Sequence, residues 1–502
     1  MSTTLRPVPP PVSLPAPAFP RVPSTRPATG GVATRGRTRS ANEGWTTPRV
    51  LQALLLASLL AAILLFIAGF AAHNALKQDV QSVGRDSVPS ILAAQQIRAS
   101  LVDMDASAAN DLLAGPGGSR TARDSYNAER SLIGRQVAVA AQNITYGNLE
   151  RIPIETLQDG MTYYAGLVAQ AQQQIRDGNG DNTRATYTQA TNYLHDTLVP
   201  ASERLDAVNT AYLNRAYADV GGTSVQSTAL VILAGLLLLA ALVGAQLFLS
   251  RRTRRTLNLP LLAATVILIV FLANVLGIVS AVRGDLKTAK ADAFDSVASL
   301  ANARALVYDA NGDQTKALLD KANAARYQMQ FTQKTQGTDT TEGIVNQPIT
   351  PQLLQEAQSV ADSHVANPGS SRKVSFKGYL ADEINNITFG QPERDAAIAA
   401  LTEFGNYQQA DKQIRDLTAQ GKDADALALA TGTNTDQAHR ASERFDIALV
   451  SAINVNRSAF DDAVTRAFAD VAPLQWEAPA AAFLIGLLAF FGLQPRLREY
   501  AV

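Results

Sequence analysis

The sequence predicts an all-α integral membrane protein, with four transmembrane helices carrying two tandem extracytoplasmic four-helix-bundle, sensor-like domains. Three observations predict it. Four apolar stretches interrupt the chain, arginines gather in the segments on one side of them, and the two long segments between them repeat each other in four blocks.

Residues 1–49 are rich in Pro and Arg and hold no long apolar run. Such a segment cannot bury enough surface to offset its ordering entropy, so it is expected to be a disordered cytoplasmic tail, locally polyproline II. Span one covers 50–72. It reads as an uncleaved signal anchor, because it lies deep in the chain and lacks a small-residue cleavage pattern. Span two covers 227–250, span three 259–282 and span four 477–494. A bilayer core of about 30 Å needs about 20 apolar residues in a helix, and the first three reach that length without a charge. The fourth is shorter, but Trp476 and Tyr500 bracket it as interfacial anchors do.

Orientation follows from the arginines. Seven precede span one (Arg6, Arg21, Arg26, Arg35, Arg37, Arg39 and Arg49) against Glu43. The loop 251–258 holds Arg251, Arg252, Arg254 and Arg255 with no acid, and the tail 495–502 holds Arg496 and Arg498 against Glu499. Cytoplasmic loops carry the excess of Lys and Arg. The expectation is a multi-pass protein of the cell membrane with both termini and the arginine loop cytoplasmic. Residues 73–226 and 283–476 are then outside. The four loop arginines are the candidate signalling or partner residues, and they also suit contact with membrane lipid phosphates.

The outer segments repeat each other. Arg98-Ala99, Asp103 and Leu112-Leu113 recur as Arg304-Ala305, Asp309 and Leu318-Leu319. Asn143-Ile144-Thr145-Tyr146-Gly147 with Glu150-Arg151 recurs as Asn386-Ile387-Thr388-Phe389-Gly390 with Glu393-Arg394. Gln174–Asp177 recurs as Gln413–Asp416, and Ala201–Asp206 as Ala441–Asp446. The offset rises from 206 to 243 between the first two blocks, which implies an insertion of 37 residues in the second copy, within about 327–376.

Each copy reads as helix, rich in good helix formers and with apolar residues at spacings of three and four. Leu198, Ala201, Leu205, Val208 and Tyr212 form one such stripe, which needs partner helices to bury it. Breaks at Gly115–Gly118, Asn143–Pro153 and Asp177–Asp181 divide the first copy into four helices, with Pro89 and Pro200 expected to kink the first and last. In an up-down-up-down bundle the insertion is expected at the tip farthest from the membrane.

No catalytic constellation emerges. Cysteine is absent, the four histidines never occur at metal-ligand spacing, and no phosphate loop, serine elbow or zinc-protease motif is present. A non-enzyme without cofactor is expected. The apolar stretches, taking the fourth from Ala478 to Leu493, lack ionisable residues, which argues against a transporter; Asn274 in span three is expected to bond a neighbouring helix. The twin block of Asn143, Thr145 and Gly147, and of Asn386, Thr388 and Gly390, reads as a helix–helix turn with glycine at positive φ rather than as a ligand or partner site. Arg98 with Asp103 and Arg304 with Asp309 could face an amino-acid ligand, but read more simply as surface charges.

Two span–bundle–span units with almost nothing inside, together with the stretches Asn302–Asp320 and Gly378–Glu393, resemble actinobacterial membrane proteins of the GlnX type. That family relays amino-acid availability. The resemblance implies an outer solute-binding lipoprotein that binds glutamate or aspartate, and a cytoplasmic PknG-type Ser/Thr protein kinase. Membrane lipids and a homo-oligomer complete the partner expectations, with no nucleic acid. The expected function is transmembrane signal relay. Its rivals are a structural or accessory subunit of a transport or envelope complex, and a direct small-molecule chemoreceptor.

Overall fold

The computed structural model describes residues 47–253, 258–431 and 438–498. The Pro/Arg-rich tail before Thr47, Arg254, Arg255 and Tyr500 lie outside the described residues. The described elements are α1 (Thr47–Gln81), α2 (Val88–Leu113), α3 (Arg120–Gln142), α4 (Asn148–Arg176), α5 (Gly180–Tyr193), α6 (Val199–Thr253), α7 (Leu259–Lys287), α8 (Asp295–Leu319), α9 (Ala324–Gln336), α10 (Pro351–Ala366), α11 (Tyr379–Asn385), α12 (Gln391–Ala419), α13 (Asp423–Thr431), α14 (Ala438–Val471) and α15 (Leu474–Arg498). No strand occurs among the described residues.

Eight of these run on into one another in pairs and form four long rods. Thr47–Leu113, Gly180–Arg251, Leu259–Leu318 and Ala441–Arg498 span 67, 72, 60 and 58 residues, and each holds a window long and apolar enough to cross a membrane. The spans are apolar on both faces. On α1, Ala61, Ala62, Leu65 and Gly69 are buried against neighbouring helices, while Leu56, Leu60, Ile63 and Ile67 point outward, each half or more exposed. Water would penalise that outer face and lipid would not. Small residues set the contacts: a Cβ added at Gly69 would stand 2.8 Å from Ala478 Cβ, so α1 and α15 approach as closely as small side chains permit. Asn274 does bond a neighbouring helix, donating its amide to Glu477 at the head of α15.

Three π-helical segments interrupt the rods: the first and third join a span to a bundle, and the second lies inside the first bundle, where Leu194 and Leu198 are core residues. Ser82–Asp86 precedes Pro89, and Leu194–Leu198 precedes Pro200. A proline ring collides with the carbonyl four residues earlier, here Arg85 and Asp196, and both lie inside the widened turns. The third, Thr288–Phe294, contains no proline and precedes none. It begins 206 residues after the first, at the offset that relates the sequence blocks. The fourth rod breaks at Ala472-Pro473, where His73 of α1 faces the Val471 carbonyl at 3.3 Å.

The first bundle is α2, α3, α4 and the α5–α6 rod, closed around Ile97, Leu101, Met104, Leu157, Tyr164, Leu194 and Leu205. The second uses α8, α12 and α14, with its second helix split into α9 and α11. The inserted stretch leaves from the end of α9 and returns at α11. Its expected place at the tip is therefore corrected: it lies partway down the bundle, beside α11 and α12. A strap bridges the split. Val345 N donates to Thr335 O (3.1 Å), and Tyr379 and Leu380 donate to Gly343 O and Ile344 O (3.1 and 3.2 Å). Ile344 and Val345 fill the gap in the core. The crossing needs glycine, since a Cβ at Gly343 would stand 2.2 Å from Gly337 N.

Candidate functional site: the polar seam between the bundles

The two bundles meet along α2 and α8. Residues Ala99–Ala109 of α2 are buried almost all round, so this helix serves both bundles at once. The repeated Arg98 and Arg304 lie in this seam, and the surface-charge expectation for them is corrected. Arg98 donates to Asn302 of α8 at 3.0 Å, and Arg304 donates to Gln96 of α2 at 2.9 Å. Positions 96 and 98 correspond to 302 and 304 at the repeat offset, so the two bonds are reciprocal, as across an isologous dimer interface. Each arginine is also tied within its own bundle: Arg98 to Glu203 at 3.2 Å, and Arg304 by a two-pronged contact to Asp446 at 2.5 and 3.2 Å.

The seam is asymmetric higher up. Lys316, 206 positions after Asn110, crosses from α8 into the first bundle and reaches Asp105 at 3.2 Å. Asp105 is buried and also accepts from Tyr164 Oη (2.9 Å) and Thr191 Oγ1 (2.7 Å). Burial alone would push this carboxyl up; Lys316, His195 and the two hydroxyls outweigh it and hold it below the usual range. Burial pushes Lys316 down, but Asp105, Asp313 and Asp309 together hold it above its ordinary value. His195 stands 3.2 Å from the ammonium, and burial with that charge lowers its affinity for a proton. A neutral imidazole accepting from Lys316 through Nε2 fits this setting. Lys334 of α9 completes the cluster at 2.9 Å from Asp309 and 2.5 Å from Asp313.

The repeated aspartates differ. Asp309 is held low because Lys334, His195 and Lys316 outweigh its burial. Asp103 is pushed up to about 8 by burial and by Glu129 and Asp446, with Arg304 opposing.

The other predicted residues lie elsewhere. Asn143, Thr145 and Gly147 form the α3–α4 turn, and Asn386, Thr388 and Gly390 the α11–α12 turn. Both glycines have positive φ, 64° and 79°. In each turn one carboxylate oxygen accepts two amides: Glu150 from Thr145 and Tyr146 (2.7 and 2.5 Å), Glu393 from Thr388 and Phe389 (2.7 and 2.7 Å). Neither turn contributes to the ion cluster. Arg251 and Arg252 end α6, with Arg251 exposed, while Arg254 and Arg255 lie outside the described residues. No group of three or more His, Asp or Glu among the described residues is placed to hold a metal ion. Sequence reasoning missed Asp105, His195, Lys316 and Lys334. The available signal was the all-round small and apolar character of the helix near Asp105, which marks burial on every side.

Comparison with known proteins adds one assignment. Residues 79–218, from the end of α1 through the first bundle to the root of span two, match the model of an actinobacterial sensor domain. No curated protein and no solved structure matches the chain. The chain thus carries a sensor domain, and that domain includes the first two π-helical segments.

Proposed function

We propose that the protein is a non-enzymatic transmembrane relay, with the bundles extracytoplasmic and the arginine-rich ends in the cytoplasm. The observation that carries this is mechanical. The sensor domain is made from helices that run without a linker into apolar spans, and it is locked to a second bundle by buried, charged contacts. Packed helices shift between discrete arrangements rather than deforming smoothly. A ligand or partner preferring one arrangement of the α2–α8 seam would move the rods together. The matched π-segment register, the twin capped turns and the reciprocal arginines support reading the bundles as duplicated copies. The GlnX-type resemblance supports a glutamate or aspartate signal arriving through a solute-binding lipoprotein, and a cytoplasmic Ser/Thr kinase that reads the Arg251–Arg255 loop.

The chain has no cysteine, so introduced thiols report alone. Leu261→Cys with Gly492→Cys joins two spans at their arginine-side ends, where a Cβ at Gly492 stands 3.0 Å from Leu261 Cγ. Cross-linking efficiency should change when the lipoprotein is loaded with glutamate or aspartate. An unchanged yield would favour the structural-subunit reading. Thiol labelling of intact cells should reach Thr340→Cys and spare Thr253→Cys; the reverse would invert the topology.

A further inference from the structure

The second bundle buries two glutamates where the first buries one. Glu150 caps its turn alone, and the position matching Glu383 is Ala140. Glu383 of α11, Glu393 of α12 and Asn456 of α14 are all fully buried. Asn456 donates to Glu383 Oε1 at 3.0 Å and bears also on Glu393. Glu383 Oε2 and Glu393 Oε1 remain buried acceptors with no donor. The charges bearing directly on the pair are each other and Asp292 of the third π segment, whose own partner is Lys287 at 3.9 Å. The polar groups are Ser296 of α8, Asn456 and the Thr388 and Phe389 amides. The neighbouring acids are engaged elsewhere: Asp382 with Glu342, and Glu356 of α10 with Ser375. Two adjacent carboxylates in a dry site without a cation cannot both stay ionised.

We propose that Glu383 and Glu393 share one proton, held between Glu383 Oε2 and Glu393 Oε1, and that this proton latches the α11–α12 turn onto the third π segment. One O–H would satisfy both orphaned oxygens and halve the buried charge. Burial and the neighbouring acid raise Glu383 to about 8; burial raises Glu393 to about 7, against its two amide bonds. The latch itself is Asn386, whose amide nitrogen lies 3.1, 2.9 and 2.9 Å from Ala291 O, Asp292 O and Ser296 Oγ. Loss of the proton would place two buried anions beside Asp292 and loosen this grip. Because the folded state binds the extra proton, stability falls as pH climbs from the ordinary carboxylate range to about 8, and levels above it. This inference stands independently of the relay reading.

The test uses full-length protein in detergent. Infrared spectroscopy should find the carbonyl stretch of a protonated acid at pH 6, lost near pH 8. Because Asp103 is raised to the same range, the band is read in an Asp103→Asn background, where it should persist, and it should vanish there on adding Glu383→Gln. Amide exchange across residues 288–296, corrected for its intrinsic pH dependence, should rise about tenfold from pH 6 to 9 in the wild type and stay flat in Glu383→Gln. If Glu383→Gln does not fold, Glu383→Ala, which copies Ala140, replaces it. An Asp103→Asn protein without the band overturns the proposal, as does a band or exchange profile unchanged by Glu383→Gln. Stabilisation by calcium ions with no acid band would make the pair a cation site and overturn it equally.

Discussion

The first bundle's joint to its incoming span is closed by aromatic packing, and the second's by a polar clamp. Tyr146 stacks on Tyr212 with centroids 3.6 Å apart and bonds Ser87 at 2.7 Å, at the end of a π turn that Pro89 imposes. In the second bundle Phe389 replaces Tyr146 and no proline lies in or just after the π turn; Asn386 instead takes up carbonyls within the widened turn. Its counterpart Asn143 bonds only its own helix, at Val139 O. A π turn in one register is thus reached by two physical routes. A backbone feature shared by two regions need not rest on the same residues.

The largest expected effect tests where the bundles differ most, at Lys316. Lys316→Met leaves Asp105 buried without its cation, and breaking a buried pair from one side costs about 3–5 kcal/mol. Thermal unfolding in detergent should register a loss of that size. Adding Asp105→Asn should recover much of it, because the amide oxygen still accepts from one of the two hydroxyls, Tyr164 or Thr191, and its NH2 can donate to the oxygen of the other. Equal loss in the double mutant would mean that Lys316 acts through packing alone. Next in size, Gly147→Ala and Gly390→Ala should each cost about 1–3 kcal/mol. Both residues pair positive φ with strongly negative ψ, and a Cβ would meet nothing within 4 Å, so the cost is purely conformational. It should be equal in the two bundles; a twofold difference would show that the turns are not equivalent.

The helical class and four spans were legible because apolar run length and the three–four spacing are local properties. The twin turns were legible too, since positive-φ glycines and capping acids leave a signature within a few residues. The seam was not. Arg98, Asp103, Arg304 and Asp309 were seen as repeated, but a spacing of five does not say whether a charge faces water or a second bundle. Asp105 and Lys316 are 211 positions apart and occur once each, so no pattern could pair them. The insertion was counted from the offset between the blocks, but its exit point depended on where α9 stops. That depends on the Gly337–Gly343 crossing, a contact between backbones that composition does not encode.

A smaller effect separates the capping acids. Glu150→Ala removes the acceptor of two amides and should cost about 2 kcal/mol. Glu393→Ala removes the same two bonds but also ends the clash with Glu383. Its net cost at pH 8 should be smaller, and the gap between the two mutants should narrow at pH 5, where Glu383 is neutral beside either residue. Unfolding measured at both pH values checks this. A Glu393→Ala cost that matched Glu150→Ala at pH 8 would mean that the two acids in the second bundle do not oppose each other.

The smallest effect is also the most local. Asn143→Ala loses one exposed bond to its own helix and should change stability by less than about 0.5 kcal/mol. Asn386→Ala strips the Ala291 and Asp292 carbonyls of their donor and should cost about 1–2 kcal/mol. The loss should not be spread over the molecule. Amide exchange should quicken across residues 288–296 in Asn386→Ala and stay unchanged across 82–86 in Asn143→Ala, because there Pro89, not an amide, enforces the wide turn. Replacing Pro89 by Ala is the matching perturbation for the first bundle. It should let 82–86 relax towards ordinary α-helix, and exchange there should slow as the regular hydrogen bonds return. If Asn386→Ala also slowed exchange in 288–296, the third π turn would be imposed by its partner in the way the first is imposed by proline, and the two routes would collapse into one.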